Sequence, residues 1–307
     1  MPSPAQPVVS VVIPTYGRPR QLADCLSALG RQSLSRDAFE VVVVDDGSPM
    51  PLDGVIAAAG DGPHLRVVRQ ANAGPAAARN RGVDEARSPL VALTDDDCLP
   101  EPEWLETLVA AERRCPGALV GGSTINGLPK ELFASASQLI IDLVYDHFNA
   151  DPANAYFLAS NNVLCSREAY RAVGGFDGSF PRAGAEDRDF CDRWRAAGRR
   201  LVWEPEARIE HRHSQSLRKF LDLHYRYGRG AHRYQAMRRS RGTGTMREDL
   251  SFHATLPRRL TQALAREHGL RRRLGIAVAF ALWQAANAVG FFAEAWSPSA
   301  RRHGADR

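Results

Sequence analysis

No two cysteines in this sequence lie close enough to form a metal or redox pair. The five, Cys25, Cys98, Cys115, Cys165 and Cys191, are odd in number and never nearer than 17 residues. That spacing excludes a CxxC zinc or thioredoxin-type motif, and a reducing, cytoplasmic compartment fits better than a disulfide framework. The opening residues, MPSPAQPVVS, lack a basic segment followed by an apolar one, and the first apolar run, Val8 to Ile13, is only strand length. No secretion signal is therefore expected. Long apolar runs are also scarce: one charge-free stretch, Leu274 to Ala293, reaches 20 residues, which excludes a polytopic membrane protein. No fixed-period repeat is found, and no nucleic-acid reading motif accompanies the basic residues, so nucleic acid is not an expected partner.

What remains is an ordinary folding composition. With 307 residues, 44% hydrophobic and 24% charged, the chain can bury a sizeable core, and disorder or collagen-like repetition is excluded. The charge is unevenly placed. Residues 211–307 carry 19 Lys/Arg against 6 Asp/Glu, a balance of +13, which leaves −8 for residues 1–210. An acidic section suits a site that collects a divalent cation, whereas a basic tail suits phosphate or an anionic membrane surface, or is simply a solvated face.

From Val8 onward, short apolar runs alternate with helical stretches: VVSVVIP then Arg20 to Leu29, FEVVVVDD then Leu52 to Ala59, LRVVRQ then Ala76 to Ala86, PLVALTDDD then Glu103 to Arg113. Repeated βα units with runs apolar on both faces predict a mostly parallel sheet flanked by helices, with ligands beyond the carboxyl ends of its strands. After Gly117 the pattern becomes mixed, with strands expected at Ala118 to Gly122, Tyr156 to Cys165 and Leu201 to Trp203, and helices at Glu131 to Phe148 and Asp189 to Ala197. A basic helical region follows Ser214, broken at RGTGT (241–245).

The predicted strand ends carry the polar clusters. Three successive carboxylates, Asp95 to Asp97, repel one another unless a cation or hydrogen-bond donors offset the repulsion. They read either as an Asp-rich turn or as a hard-cation site whose remaining positions a diphosphate fills. Asp45-Asp46-Gly47-Ser48 reads either as a turn or as an acceptor for a base or ribose. Asn72 to Gly82 offers a Gly-Pro helix start, small residues and cations suited to phosphate.

VVIPTYGR, VVVVDDGS, NAGPAAARNRG, TDDDC, VGGFD and EDRDFCDRWRAAGRR, in this order and spacing, resemble the family 2 glycosyltransferases of the GT-A fold, non-processive and of bacterial type. The resemblance spans about Val8 to His213. It implies a GT-A catalytic domain over 1–213, α/β and Rossmann-like, followed by a basic helical extension over 214–307. It also implies inverting transfer of a sugar from a nucleotide-diphosphate donor with Mg²⁺ or Mn²⁺. Pro14, Thr15, Arg18, Asp46 and Arg79 would then hold the nucleotide, with Asp96 at the ribose. Asp95 and Asp97 would form the DxD pair at the metal, with His211, or alternatively His213, completing the shell. The ED motif matches Glu186-Asp187, with Asp187 as base, Glu186 at the acceptor and Gly174 to Asp177 as a turn beneath the sugar. Trp194 follows Arg193, but Phe190 stands where processive QxxRW synthases have Gln.

The expected acceptor is a glycan or lipid-linked molecule, the expected location the inner face of the plasma membrane. Leu274 to Ala293 reads as an interfacial helix, a membrane span, or a soluble or dimer-forming helix. Two other functions stay open: a non-catalytic nucleotide-sugar-binding protein and a nucleotidyltransferase. An intact Asp187 beside an intact DxD speaks against the first, and the lack of a Gly-rich, Lys-bearing loop near the N-terminus against the second.

Overall fold

The computed structural model describes residues 7–58, 64–180, 184–244, 247–267 and 269–297. Its sheet contains β1 (Val9–Thr15), β2 (Phe39–Asp45), β3 (His64–Arg69), β4 (Leu90–Thr94), β5 (Cys98–Pro100), β6 (Leu119–Asn126), β7 (Asn162–Ser166) and β8 (Leu201–His211). The helices are α1 (Pro19–Leu29), α2 (Asp53–Ala58), α3 (Pro75–Glu85), α4 (Trp104–Arg114), α5 (Leu132–Phe148), α6 (Arg167–Ala172), α7 (Glu186–Ala196), α8 (Leu217–Arg241), α9 (Arg247–Arg266) and α10 (Leu270–Ala295). The helix expected from Leu52 ends its described course at Ala58; Ala59 lies outside the described residues, as do residues 1–6 and Thr245 of the RGTGT break.

The strands form one sheet in the order β3-β2-β1-β4-β7-β6-β8-β5. The half built from β3, β2, β1 and β4 is wholly parallel. Every residue of β1 and β2 is buried, as the unbroken VVVV run requires when helices cover both faces. β3 sits at the edge with partly exposed residues. In the other half β7 runs antiparallel to β4 and β6, β5 runs antiparallel to β8, and only β6 and β8 are parallel.

Two strand boundaries differ from those expected. β7 begins only at Asn162 because Tyr156 and Phe157 are held in a loop: both backbone N–H groups donate to Asn149 Oδ1, at 2.9 and 3.1 Å. β8 runs on to His211: past a bulge opposite Gly121 and Ser123 it stays parallel to β6, from Ser123–Arg208 to Asn126–His211, and takes β5 on its other edge. Asn162 fills that bulge, donating to Ser123 and Ala207 carbonyls at 3.0 Å and accepting from Trp104 Nε1 at 2.7 Å.

One core packs α1 and α4 on the sheet around Trp104; a second covers the opposite face around Phe190 and Trp194. A third joins α5 to α8, α9 and α10 around Phe220, Phe280 and Trp283. α8 and α10 cross backbone to backbone: a Cβ on Gly228 would lie 2.0 Å from Asn287 O, and one on Gly290 2.0 Å from Tyr225 O. Basic side chains of α8 are consumed by carboxylates of α7 and α10. Arg241 pairs with Asp189 and Asp192 at 2.8 Å, Arg238 Nε lies 3.3 Å from Asp192, and Arg229 pairs with Glu294 at 2.7 Å. Part of the basic tail thus neutralises buried carboxylates of the same chain.

Candidate active site

Parallel strand ends and the β8 terminus converge on one cleft of about 1000 Å³. From β1 come Pro14 and Thr15, with Arg18 just beyond; Asp46 follows β2, Arg79 sits on α3, Asp95 to Asp97 follow β4, Glu186 and Asp187 open α7, and His211 and His213 end β8. All of these residues line the same cleft. The Gly174 to Asp177 turn does not; it packs on α3, where Asn80 Nδ2 donates to Phe176 O at 2.8 Å and Asn80 Oδ1 accepts from Phe176 N at 2.9 Å. Arg193 and Trp194 serve structure: Arg193 donates to Asp189 and Gly175 O, and Trp194 is fully buried.

Each member of the acidic triplet has its own donors. Arg79 Nη2 donates to Asp95 Oδ1 at 2.7 Å. Thr15 Oγ1 donates to Asp96 Oδ2 at 2.7 Å, and Arg18 Nη1 reaches both Asp96 and Asp97 at 3.0 Å. Asp97 meets His211 Nε2 and His213 Nδ1, both at 3.2 Å. Of the two ways to offset the repulsion within the triplet, a cation or hydrogen-bond donors, protein donors are present at each carboxylate. Burial pushes Asp96 up to about 6. Burial also penalises the Asp97 carboxylate, but hydrogen bonds from His211 and His213 and the charge of Arg18 outweigh it and hold Asp97 well below the usual range. Conversely, burial lowers the His211 pKa, yet contact with Asp97 leaves it raised.

Among the described residues, Asp97, His211 and His213 form the group whose ligand atoms lie within 4.8 Å of one another. One carboxylate and two imidazoles are borderline donors that fit Mn²⁺ better than Mg²⁺, which prefers an all-oxygen shell. Asp95 is turned to Arg79 instead. Arg79 is 4% exposed, and its Nε and Nη1 have no hydrogen-bond acceptor although the residue lines the cleft. Two separate phosphate oxygens would satisfy them.

Asp46 is nearly saturated. Its Oδ1 accepts from Gln70 Nε2 and Ala73 N, and its Oδ2 from Gly74 N, at 2.8 to 2.9 Å. It fixes the loop that starts α3 and presents that helix N-terminus to the cleft.

The ED motif follows Ala185, the one non-glycine residue with positive φ (70°) among those described. A left-handed alanine is strained, and such strain persists where surrounding structure imposes it. Glu186 Oε2 accepts from Gly184 N at 2.7 Å, and its Oε1 lies 3.8 Å from Arg79 Nη1. Asp187 accepts from Arg188 N at 2.8 Å. Burial first, and the neighbouring Glu186 charge second, push Asp187 up to about 7.

The sequence reading missed the far wall of the cleft, where Leu223, His224, Tyr227, Tyr234 and Gln235 of α8 face Trp283 and Phe291 of α10. The three- and four-residue spacing of these residues on α8 is the signal by which the sequence could have shown it.

Comparisons with known proteins agree with this layout. The family model described as glycosyl transferase family 2 matches residues 10–174, and one described as the N-terminal domain of galactosyltransferase matches 143–216. The pre-mycofactocin glycosyltransferase of Mycobacterium tuberculosis is 32% identical over 235 residues, 74% of this chain and 47% of its own. Validoxylamine A glucosyltransferase of Streptomyces hygroscopicus is 29% identical, over 69% of this chain and 58% of its own. The chain thus spans about half the length of these curated relatives. In fold it is similar to a mannosyltransferase of Pyrobaculum calidifontis solved with GDP-Man and Mn²⁺ (TM-score 0.65, 20% identity, 96% of this chain and 89% of that one). It is also similar to S. aureus TarS solved with UDP-GlcNAc (TM-score 0.56, 18% identity, 91% and 81%). With a matching family model over more than half its length, the chain belongs to glycosyl transferase family 2, on a GT-A fold.

Proposed function

We propose that the protein transfers a sugar, with inversion, from a nucleoside diphosphate donor to an acceptor hydroxyl in a single displacement, with residues 1–213 as the catalytic part and 214–307 as the acceptor-side cover. The observation that carries this reading is the convergence of two groups in one cleft: Asp97, His211 and His213, and the high-pKa carboxylate Asp187. Pro14, Thr15, Asp46 and Asp96 take the nucleoside side, and Arg18 and Arg79 the diphosphate.

Asp97, His211 and His213 would hold Mn²⁺, which when bound screens the charge developing on the leaving diphosphate. Asp187 takes the proton of the attacking hydroxyl. A carboxyl near pKa 7 suits this role, because it is a stronger base than an ordinary aspartate yet still substantially ionised at neutral pH. Glu186, paired with Arg79, keeps that guanidinium aligned between donor and base. α10 is long and apolar enough to cross a membrane, with 28% of its most apolar window buried. We take this helix as a peripheral contact at the cytoplasmic face of the plasma membrane.

A thermal-shift screen of GDP-mannose, UDP-N-acetylglucosamine and other nucleotide sugars, with and without Mn²⁺, tests the reading. The right donor should raise the melting temperature only with the cation, since binding the native state alone stabilises it. Equal shifts without Mn²⁺ would contradict the metal assignment, and no shift with any nucleotide would contradict the donor.

A further inference from the structure

Beyond Asp187 the cleft continues into a compartment that the proposed donor chemistry leaves unused. α5, α8 and α10 wall it, with Ile140, Val144, Trp283 and Phe291 among its lining residues. In that wall lies His224, 2% exposed, with no hydrogen-bond partner at either ring nitrogen. Its ring packs edge-on against Phe220, Tyr227 and Trp283, at centroid distances of 4.4, 5.7 and 6.3 Å. Burial pushes its pKa down to about 4, so near pH 7 the ring is neutral and offers one N–H and one lone pair. An imidazole buried without partners is costly, and one that lines a cavity is poised for a ligand's polar group.

Tyr227 links this compartment to the reacting carboxylate. It packs on His224 and, 39% exposed, lines the same cleft as Asp187. At the other end the cleft reaches Phe292 and Leu250, 53% and 62% exposed. Phe292 belongs to an exposed apolar stripe on α10 with Leu274, Val278, Val289 and Trp296. The spacing places these on one helix face, and the stripe begins beside exposed Arg271 and Arg273.

We propose that this compartment is the acceptor subsite and that it takes an amphiphile. The polar head carries its hydroxyl to Asp187 and pairs with His224, while the hydrocarbon body lies between α5, α8 and α10 and leaves past Phe292 along the apolar face of α10. The proposal deepens the transferase reading and rests on it. Gln235, Gln284 and Asn287 also line the cleft, but its lining surface is more apolar than polar, with Ile140, Ile141, Val144 and Phe291 along the walls, which favours a hydrocarbon body over a free glycan.

The test is calorimetric titration of the full chain, without nucleotide, with glucose, hexyl β-glucoside and octyl β-glucoside below their micellar concentrations, and with cellotriose. Octyl glucoside should bind about tenfold more tightly than hexyl glucoside, as expected for two buried methylenes, and glucose and cellotriose should bind weakest. Ala288→Trp, at a partly open position on the compartment wall, should abolish the chain-length dependence. His224→Phe should weaken octyl glucoside about tenfold and keep that dependence. GDP and UDP with Mn²⁺ are titrated separately, so loss of nucleotide binding by the unaltered chain reports on the donor reading alone. Equal affinities for the two alkyl glucosides, tighter binding of cellotriose than of octyl glucoside, or no effect of Ala288→Trp would overturn the proposal. If His224→Phe does not fold, Ala288→Trp decides.

Discussion

Arg79 Nη2 stands 2.7 Å from Asp95 Oδ1, a pair that ties α3 to the end of β4 at the floor of the cleft. The same guanidinium lies 3.8 Å from Glu186, so one buried cation serves two carboxylates from distant parts of the chain. Arg79→Ala should therefore lower unfolding free energy by about 3–5 kcal/mol, because it strands buried negative charge. Urea denaturation measures this; a loss under 1 kcal/mol would show that the carboxylates find other partners or protonate cheaply.

The metal assignment carries a pH signature. His211 and His213 meet Asp97 through the nitrogens that would ligate a cation, and the His211 pKa is raised. Protons therefore compete with Mn²⁺, whose affinity should fall as pH drops below 7, with proton release on binding. Asp97→Asn should abolish Mn²⁺-dependent nucleotide binding. Calorimetry in buffers of different ionisation enthalpy reads the proton count, and a pH-independent affinity would contradict the ligand set.

Ala185, at φ 70°, precedes the ED motif. Ala185→Gly should stabilise the fold by about 1 kcal/mol, since glycine adopts this conformation without a Cβ penalty. Turnover should fall through looser placement of Asp187. A melting temperature that drops would show that the alanine methyl contributes packing worth more than the strain.

The exposed stripe on α10 should bind membranes. Vesicles containing anionic lipid should retain the full chain, and Val278→Glu with Val289→Glu should weaken retention at least tenfold, because both side chains are more than half exposed and lose apolar contact with the bilayer. Co-sedimentation measures it, and equal retention of the two proteins would remove the membrane contact.

How much of this was legible in the sequence depended on burial symmetry. β1 and β2 announce themselves because both faces are buried, and their polar ends fall where a parallel sheet collects ligands. β8 was underestimated because its second half, RIEH at 208–211, is rich in polar residues although it is paired on both edges, with β6 and β5. Asp187 was reachable through its motif. The partition of Asp95 to Arg79, with both histidines on Asp97, was not, because it depends on which side chains the ends of β4 and β8 and the helix α3 bring within 3.2 Å. His224 was invisible for a related reason: nothing local distinguishes a helical histidine on a basic helix from a solvated one. Only the packing of α10 across Gly228 and Gly290 encloses it.

The central claim is that Asp187 is the base. Its pKa near 7 exceeds the ordinary carboxylate value of about 3.9. Turnover should therefore rise with pH and level off above about 7, while the stability of the fold declines from about pH 4 to about 7, where the unfolded chain has lost this proton and the folded chain still holds it. Asp187→Asn escapes that cost and should be more stable than the unaltered chain at pH 8. The most direct measurement compares donor affinity and turnover for Asp187→Asn. The account predicts donor binding within about threefold of the unaltered chain and turnover reduced by roughly 10²–10⁴. Donor binding lost in proportion to turnover, or turnover left nearly intact, would contradict it.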